Sequence, residues 1–376
     1  MKRLIATISI VCVMMCWSGG IASAHPAEKA LLPDTSATAA VVMEAGSGRI
    51  IFSKNANTRM PMASTTKIMT AIVAIERGNL DDIVTVSQNA YGMRGSSIFL
   101  GIGEKVVLRD LLYGLMLQSG NDAAVAVAEH IGGSVEGFAA LMNAKAAEIG
   151  ALDTHFTNPH GLHDPQHYTT AHDLALIAAY AMHNPVFAQI VSTKYMNIPW
   201  EGRDYNRVLK NKNKILWQYE GGNGIKTGYT DAAGKCLVSA AKRNGMQLVC
   251  VVLKCPAMFP DSMALLDFCF AHYQLKSIVE AKKYLGFVNV ENGLKNGLHI
   301  YMDKPFLYPL TENETIDLKV DLPRSVKAPV LTGMQVGKVQ AWLGNEMVYS
   351  ADLYASEDIL ENSLGYHLLR LIEGWN

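Results

Sequence analysis

The apolar and polar positions divide most of the chain into a helical middle part between two groups of strands. Short or alternating apolar runs beside turn residues predict strands at 40–43, 49–52, 224–230, 235–243 and 246–254. Apolar residues spaced three and four apart predict helices at about 64–77, 108–117, 123–131, 135–149, 171–182 and 261–273. This order indicates an α/β (α+β) domain, an antiparallel sheet covered by helices, over residues 25–275.

The pattern changes at about residue 276. Short β-type segments with frequent glycine turns follow, and they predict a small all-β domain over residues 276–355. The last stretch, residues 356–376, carries Leu360, Leu364 and Leu368 at helical spacing, which predicts an amphipathic C-terminal helix.

The first 24 residues have the pattern of a secretion signal. Lys2 and Arg3 precede an apolar run that reaches Trp17, and Ala22-Ser23-Ala24 provides an A-x-A cleavage signal. We therefore expect residues 1–24 to be removed and the mature protein to be exported, to the outer face of the cytoplasmic membrane, the cell wall or the medium. An uncleaved anchor is the alternative, but the run is shorter than the roughly 18 apolar residues of a membrane span.

Composition narrows the choice of partners. The chain has 33 Lys and Arg against 34 Asp and Glu, a net charge of −1, so nucleic acid is not an expected partner. Two of the six cysteines lie in the signal. The hairpin turn predicted at Asn244-Gly245 sets Cys236 opposite Leu253 and Cys250 opposite Ser239, on different faces of the sheet. We expect buried free thiols at Cys236, Cys250, Cys255 and Cys269.

A serine and a lysine stand three residues apart at the start of the first predicted helix, in Pro61-Met62-Ala63-Ser64-Thr65-Thr66-Lys67. Residues at this spacing share a helix face, so Ser64 and Lys67 would point the same way. A serine nucleophile needs a base, and a lysine can serve when burial or a helix dipole lowers its pKa from about 10.4. The same spacing recurs at Ser239 and Lys242, but in a predicted strand, where the two side chains would face opposite sides.

Two further motifs carry candidate chemistry. Ser119-Gly120-Asn121 lies at a break between helices, where Ser119 would relay a proton and Asn121 would donate an amide to a substrate carbonyl; a polar helix cap is the alternative. Lys226-Thr227-Gly228 lies on a strand, where a cation and a hydroxyl suit a carboxylate ligand and the glycine lets a substrate backbone approach. An exposed lysine at a strand end is the alternative.

The ordered set S-x-x-K, S-x-N, K-T-G resembles the penicillin-recognising serine enzymes. Within them the chain is most similar to the low-molecular-mass penicillin-binding proteins, the serine-type D-alanyl-D-alanine carboxypeptidases of the peptidase S11 family. Asn158-Pro159-His160-Gly161-Leu162 and the extension of the third motif to Tyr229-Thr230 match as well. The resemblance covers essentially the whole mature chain and implies a β-lactamase/transpeptidase-like fold followed by the small β domain.

The resemblance also implies a mechanism. Ser64 would attack the carbonyl between the two terminal D-alanines of a peptidoglycan stem pentapeptide and form an acyl-enzyme, with Lys67 as general base and Ser119 near the leaving nitrogen. Backbone N–H groups of Ser64 and Tyr229 would form the oxyanion hole. No cofactor is implied, and β-lactam antibiotics such as penicillin would inhibit covalently. The substrate-binding residues implied are Asn121, Lys226, Thr227, Gly228 and Tyr229.

Other functions have weaker support in the sequence. A class A β-lactamase would carry an E-x-x-L-N stretch for deacylation, and none occurs between Ser119 and Lys226. A non-catalytic wall-binding protein would not need three intact motifs. His160, His163 and His167 suggest a metal site, but no matching carboxylate set accompanies them, so we expect loop hydrogen bonds and no metal.

The apolar stripe of the C-terminal segment has two possible uses. It would lie on a membrane surface as a peripheral contact, or it would pack against the β domain. Glu357, Asp358, Glu361 and Glu373 outnumber Arg370, so attraction to anionic lipid would be weak.

Overall fold

The computed structural model describes residues 33–373, so the predicted signal at residues 1–24 and the last three residues lie outside the described part. The helices are α1 (Lys67–Arg77), α2 (Leu108–Leu117), α3 (Asn121–Gly132), α4 (Val135–Ile149), α5 (Ala171–Met182), α6 (Pro185–Ser192), α7 (Ile215–Gln218), α8 (Met258–His272) and α9 (Leu364–Glu373). The strands of the first part are β1 (Ala39–Glu44), β2 (Ile50–Lys54), β3 (Ile83–Thr85), β4 (Lys105–Val107), β5 (Tyr195–Ile198), β6 (Arg207–Lys210), β7 (Gly222–Thr230), β8 (Gly234–Arg243) and β9 (Met246–Leu253).

A five-stranded antiparallel sheet in the order β2-β1-β9-β8-β7 forms the centre of this part. Neighbouring residues of one strand enter different cores: Val41 packs with the helices α1 to α6, and Val42 packs with α8 on the other face. Residues alternate in this way because successive side chains of a strand point to opposite faces. The predicted fold class, an antiparallel sheet covered by helices, is confirmed.

The cysteine prediction is confirmed by the register of β8 and β9. Ser239 lies opposite Cys250, and Cys250 belongs to the α8 core while Cys236 belongs to the opposite core. All four cysteines of the described residues are free and buried.

The sequence pattern predicted the start of α5 correctly, whereas it missed the start of α3 by two residues. The hydroxyl of Thr170 accepts a hydrogen bond from the backbone N–H of Asp173 at 3.0 Å and caps α5. Helix α3 begins at Asn121, two residues earlier than predicted, because the break spans only Gln118, Ser119, which is in a left-handed conformation, and Gly120. Helices α6 and α7 and strands β5 and β6 lie in a segment for which the sequence pattern predicted no element.

The strands of the C-terminal part are β10 (Gln274–Val279), β11 (Tyr284–Glu291), β12 (Gly297–Tyr301), β13 (Phe306–Leu310), β14 (Ile316–Asp321), β15 (Ser325–Lys327), β16 (Gln335–Leu343) and β17 (Glu346–Ala355). Six of them form one sheet in the order β14-β16-β17-β12-β11-β15, while β10 pairs with β13. The predicted all-β character is confirmed, whereas the domain limits stay predictions. Arg49, the residue before β2, contacts the C-terminal part through a bidentate ion pair with Glu314.

The C-terminal helix is shorter than expected. Residues 356–363 are not helical, because Ile359 is buried in the β-domain core and forms an antiparallel bridge with Val330. The helix begins only at Leu364.

Among residues 33–373, no single helix has the length and apolar character to cross a membrane; α5 and α6 meet those criteria only as a pair bent by 104°.

Candidate active site

The nucleophile candidate lies in a 3-10 turn, Ala63–Thr66, that runs directly into α1. Ala63 adopts a left-handed backbone conformation with φ of 49°, which is uncommon for a residue with a Cβ atom. Two hydroxyls stabilise this turn: Thr65 donates to the carbonyl of Met62 at 2.6 Å, and Thr66 donates to the carbonyl of Ala63 at 2.7 Å. The backbone before Ser64 is therefore held in a strained but well-bonded shape.

The loop at residues 158–168 supports the same turn. Nδ1 of His167 accepts a hydrogen bond from the backbone N–H of Thr157 at 3.0 Å, so the ring proton lies on Nε2, which donates to the Thr66 hydroxyl at 2.7 Å. Burial lowers the pKa of His167 to about 4 and keeps the ring neutral. Gly161 is close enough that a Cβ atom there would lie 2.0 Å from the carbonyl oxygen of Ala63.

Lys67 is fully buried, and its amine meets three oxygens. Nζ lies 3.1 Å from Ser64 Oγ and donates to Asn121 Oδ1 and to the carbonyl of His160, each at 2.7 Å. Burial holds the pKa of Lys67 well below its usual value, and the nearby charge of Lys226 lowers it further. A neutral amine has two hydrogens, which the two carbonyl-type oxygens accept, and one lone pair, which is left for the Ser64 hydroxyl.

The second motif lies where α2 ends and α3 begins. Ser119, with φ of 64°, and Asn121 are both buried at the edge of the cleft. The Asn121 oxygen accepts from Lys67 and its amide donates to the carbonyl of Arg94 at 2.6 Å, so one amide hydrogen is left for a substrate. The sequence prediction assigned Asn121 to the substrate alone and did not foresee its contact with Lys67.

The third motif lies on β7, at the edge of the central sheet. Lys226 is 2% exposed, and burial lowers its pKa to about 7, with a further contribution from the charge of Lys212. A Cβ atom on Gly228 would lie 3.0 Å from the backbone nitrogen of Ser64, so only glycine leaves this N–H open to a ligand. The Tyr229 side chain is exposed and donates to Asp231 at 3.0 Å, and Tyr229 lines the same cleft as Ser64.

These three motifs line one cleft of about 780 Å³. Sequence reasoning missed Gly95, Ser96, Lys212, Met258 and Phe259, which also line it. They come from loops and helix ends without a motif, and only long-range folding brings them to Ser64. Lys212 is the chemically important addition, because its charge contributes to lowering the pKa of both Lys67 and Lys226.

The comparisons with known proteins decide the family. Residues 24–257 match the family model of the D-alanyl-D-alanine carboxypeptidases, peptidase S11, and residues 273–361 match the C-terminal domain of penicillin-binding protein 5. The chain belongs to the peptidase S11 family.

Relatives of this S11 chain cover nearly its full length. It is 30% identical to D-alanyl-D-alanine carboxypeptidase DacF of Bacillus subtilis over 100% of this chain and 99% of that protein. It is 33% identical to DacA of Haemophilus influenzae over 88% of this chain and 86% of that protein. The crystal structure of penicillin-binding protein 5 from Haemophilus influenzae matches with a TM-score of 0.75 at 31% identity, covering 88% of this chain and 99% of that one.

Two of the three histidines in the 158–168 loop of this S11 chain form hydrogen bonds that support the site. His160 supplies its carbonyl to Lys67, and its ring Nδ1 accepts from the backbone N–H of Leu162 at 3.1 Å. His167 holds Thr66, and His163 is exposed. Within residues 33–373, no three His, Cys, Asp or Glu side chains are grouped to hold a metal ion.

Proposed function

We propose that this protein is an exported serine carboxypeptidase that removes the terminal D-alanine from peptidoglycan stem pentapeptides. Membership of the S11 family supports the reaction class. The observation that carries the residue assignment is the Lys67 amine, 3.1 Å from Ser64 Oγ, with its other two contacts on carbonyl oxygens.

The Lys67 contacts and membership of the S11 family support the following course of acylation. The Ser64 hydroxyl proton passes to the neutral Lys67 amine as Oγ attacks the carbonyl carbon between the two D-alanines. The backbone N–H groups of Ser64 and Tyr229 stabilise the oxyanion. When the C–N bond breaks, the leaving nitrogen takes a proton that returns from Lys67 through the Ser119 hydroxyl.

Deacylation reverses the proton path. A water molecule loses a proton to Lys67, attacks the acyl-enzyme carbonyl, and releases the shortened peptide with the Ser64 hydroxyl restored. Lys226 in its charged form and Thr227 bind the terminal carboxylate of the substrate. β-Lactam antibiotics, which carry a carboxylate beside a reactive amide, acylate the same serine.

Mass spectrometry of the intact protein after exposure to penicillin tests this assignment. We expect one adduct on the peptide that contains Ser64, no adduct with Ser64→Ala, and release of D-alanine from a pentapeptide only by the wild type. Ser239→Ala is the matched control, since Ser239 and Lys242 repeat the motif spacing on β8, and it should be labelled like the wild type. Labelling of Ser64→Ala would contradict the proposal.

The cellular setting is part of the proposal. The signal pattern of residues 1–24 supports export to the outer face of the cytoplasmic membrane or the wall, where trimmed pentapeptides can no longer donate to new cross-links. The enzyme would thus act in wall biogenesis and influence cell shape. Fusion of residues 1–24 to a reporter active only outside the cytoplasm tests the export; an inactive reporter would refute it.

Exposed apolar residues on α9 support a peripheral membrane contact. Leu364, Leu368, Leu369, Leu371 and Ile372 are each more than half exposed, which is unlike a helix packed on the β domain. A chain ending at Ser363 keeps Ile359 in the β-domain core and should lose sedimentation with neutral lipid vesicles. Sedimentation equal to that of the full chain would rule out anchoring by α9.

A further inference from the structure

Beside the catalytic cleft, four lysines lie near a partly exposed tryptophan, Trp217. Lys194, Lys210, Lys212 and Lys214 come from the turn before β5, the end of β6 and the loop that follows it, and we call this group the lysine shelf. Lys210, Lys212 and Lys214 line a recess of about 490 Å³ that Trp217 also lines. The amines of Lys194 and Lys210 lie 5.2 and 5.5 Å from the centre of the indole ring.

The charges of the lysine shelf are not neutralised by carboxylates. Within residues 33–373, no Asp or Glu oxygen lies within 4.0 Å of these four amines. The whole chain has a net charge of −1, so this concentration of positive charge is local. Like charges gathered without partners raise the free energy of the fold, and a bound anion would lower it.

The lysine shelf is continuous with the catalytic cleft. Lys212 lines both the recess and the cleft, and its amine donates to the carbonyl of Gln118, the residue before Ser119, at 2.9 Å. The side chain of Gln118 in turn donates to the carbonyl of Lys210 at 3.2 Å. Lys214 lies over Phe259, which lines the cleft. The recess therefore borders the cleft and shares the Lys212 side chain with it.

We propose that the lysine shelf is a second anion-binding subsite, which takes a carboxylate of the wall substrate other than that of the terminal D-alanine. The proposal rests on the function assigned above. A stem peptide in which the glutamate is linked through its side chain keeps a free carboxylate, and the Trp217 ring would contact the aliphatic part of such a residue. A phosphate-bearing wall polymer is the other source of the same chemistry, and the experiment separates the two.

The test uses the full mature chain and the triple variant Lys194→Gln, Lys210→Gln, Lys214→Gln, which leaves Lys212 and the cleft intact. Two soluble peptides ending in D-alanyl-D-alanine are compared, one with a free carboxylate on its glutamate and one with that group amidated. We expect KM for the carboxylate peptide to rise about fivefold at low ionic strength, with kcat unchanged and little change for the amidated peptide. At about 0.5 M salt the difference should shrink, because the Debye length falls to a few ångströms.

Controls separate this proposal from the catalytic assignment. Lys283→Gln, Lys304→Gln and Lys338→Gln, all exposed in the β domain, remove the same net charge elsewhere and should leave both KM values unchanged. The triple variant should be acylated by penicillin at the same rate as the wild type. If the wild type is not acylated at all, the proposed function is refuted rather than the second subsite. Equal KM shifts for both peptides, or none, would overturn the carboxylate subsite. If the two peptides show the same KM values and a polyol phosphate inhibits the wild type but not the triple variant, the ligand is a phosphate polymer, and the carboxylate subsite is likewise overturned.

Discussion

Gly161→Ala should misplace the nucleophile without touching it. Gly161 has a φ of 85°, and an added Cβ would lie 2.0 Å from the carbonyl oxygen and 2.5 Å from the carbonyl carbon of Ala63. Since carbon and oxygen approach to only about 3.3 Å even in close contacts, the Ala63 carbonyl must move by about 1 Å. That carbonyl accepts from Thr66 and directly precedes Ser64. A misplacement of this size costs about 100-fold in rate, or about 2.7 kcal/mol of barrier.

The assay is the second-order rate constant for acylation by a fluorescent penicillin, measured together with the free energy of unfolding in urea. Gly150→Ala is the matched control, because Gly150 has a φ of 90° but nothing within 4 Å of the added atom. Gly150→Ala carries the same cost in folding free energy, about 1–2 kcal/mol, for placing alanine in a left-handed backbone conformation. It should be acylated by penicillin at the wild-type rate. If folded Gly161→Ala acylated within threefold of the wild type, the link between the loop and the Ser64 turn would be wrong.

Three further predictions concern titrating groups. The rate of D-alanine release should have a bell-shaped pH profile. It should fall at low pH because Lys67 gains a proton, and at high pH because Lys226, with a pKa of about 7 in the free protein, loses its charge. Lys226→Arg should move the alkaline limb of the profile to higher pH, and an unmoved limb would exclude Lys226 as its origin. Folding lowers the pKa of His167 from 6.5 to about 4, so the unfolded chain binds more protons than the folded one between these pH values. The free energy of unfolding should therefore fall by on the order of 3 kcal/mol as the pH drops through this window. In urea unfolding, His167→Gln should show a smaller loss of stability over the same pH range. Burial raises the pKa of Cys250 to about 12, so a thiol reagent at about pH 8 should modify it only after unfolding, and rapid labelling of the folded protein would contradict its buried position.

Residue pattern alone located much of this molecule. The limits of α2 and α4 agree with the predicted helices, and the Asn244-Gly245 turn gave the register that separates Cys236 from Cys250. These features depend on local periodicity and turn geometry, which the chain encodes within a few residues. The ordered motifs likewise predicted a site at Ser64, Lys67, Ser119 and Lys226, and the fold places these residues in or beside one cleft.

Tertiary structure decided what makes those residues a site. The contacts that leave the Lys67 lone pair for Ser64 come from Asn121 and His160, which are 54 and 93 positions away along the chain. Lys212 enters the cleft from a segment with no periodic pattern, and Ile359 keeps the chain extended where helical spacing predicted a helix. Local spacing records which face a side chain occupies. The burial of Lys67 and the approach of the Lys226 and Lys212 charges exist only after the chain has folded, and these are what hold the pKa of Lys67 well below its usual value.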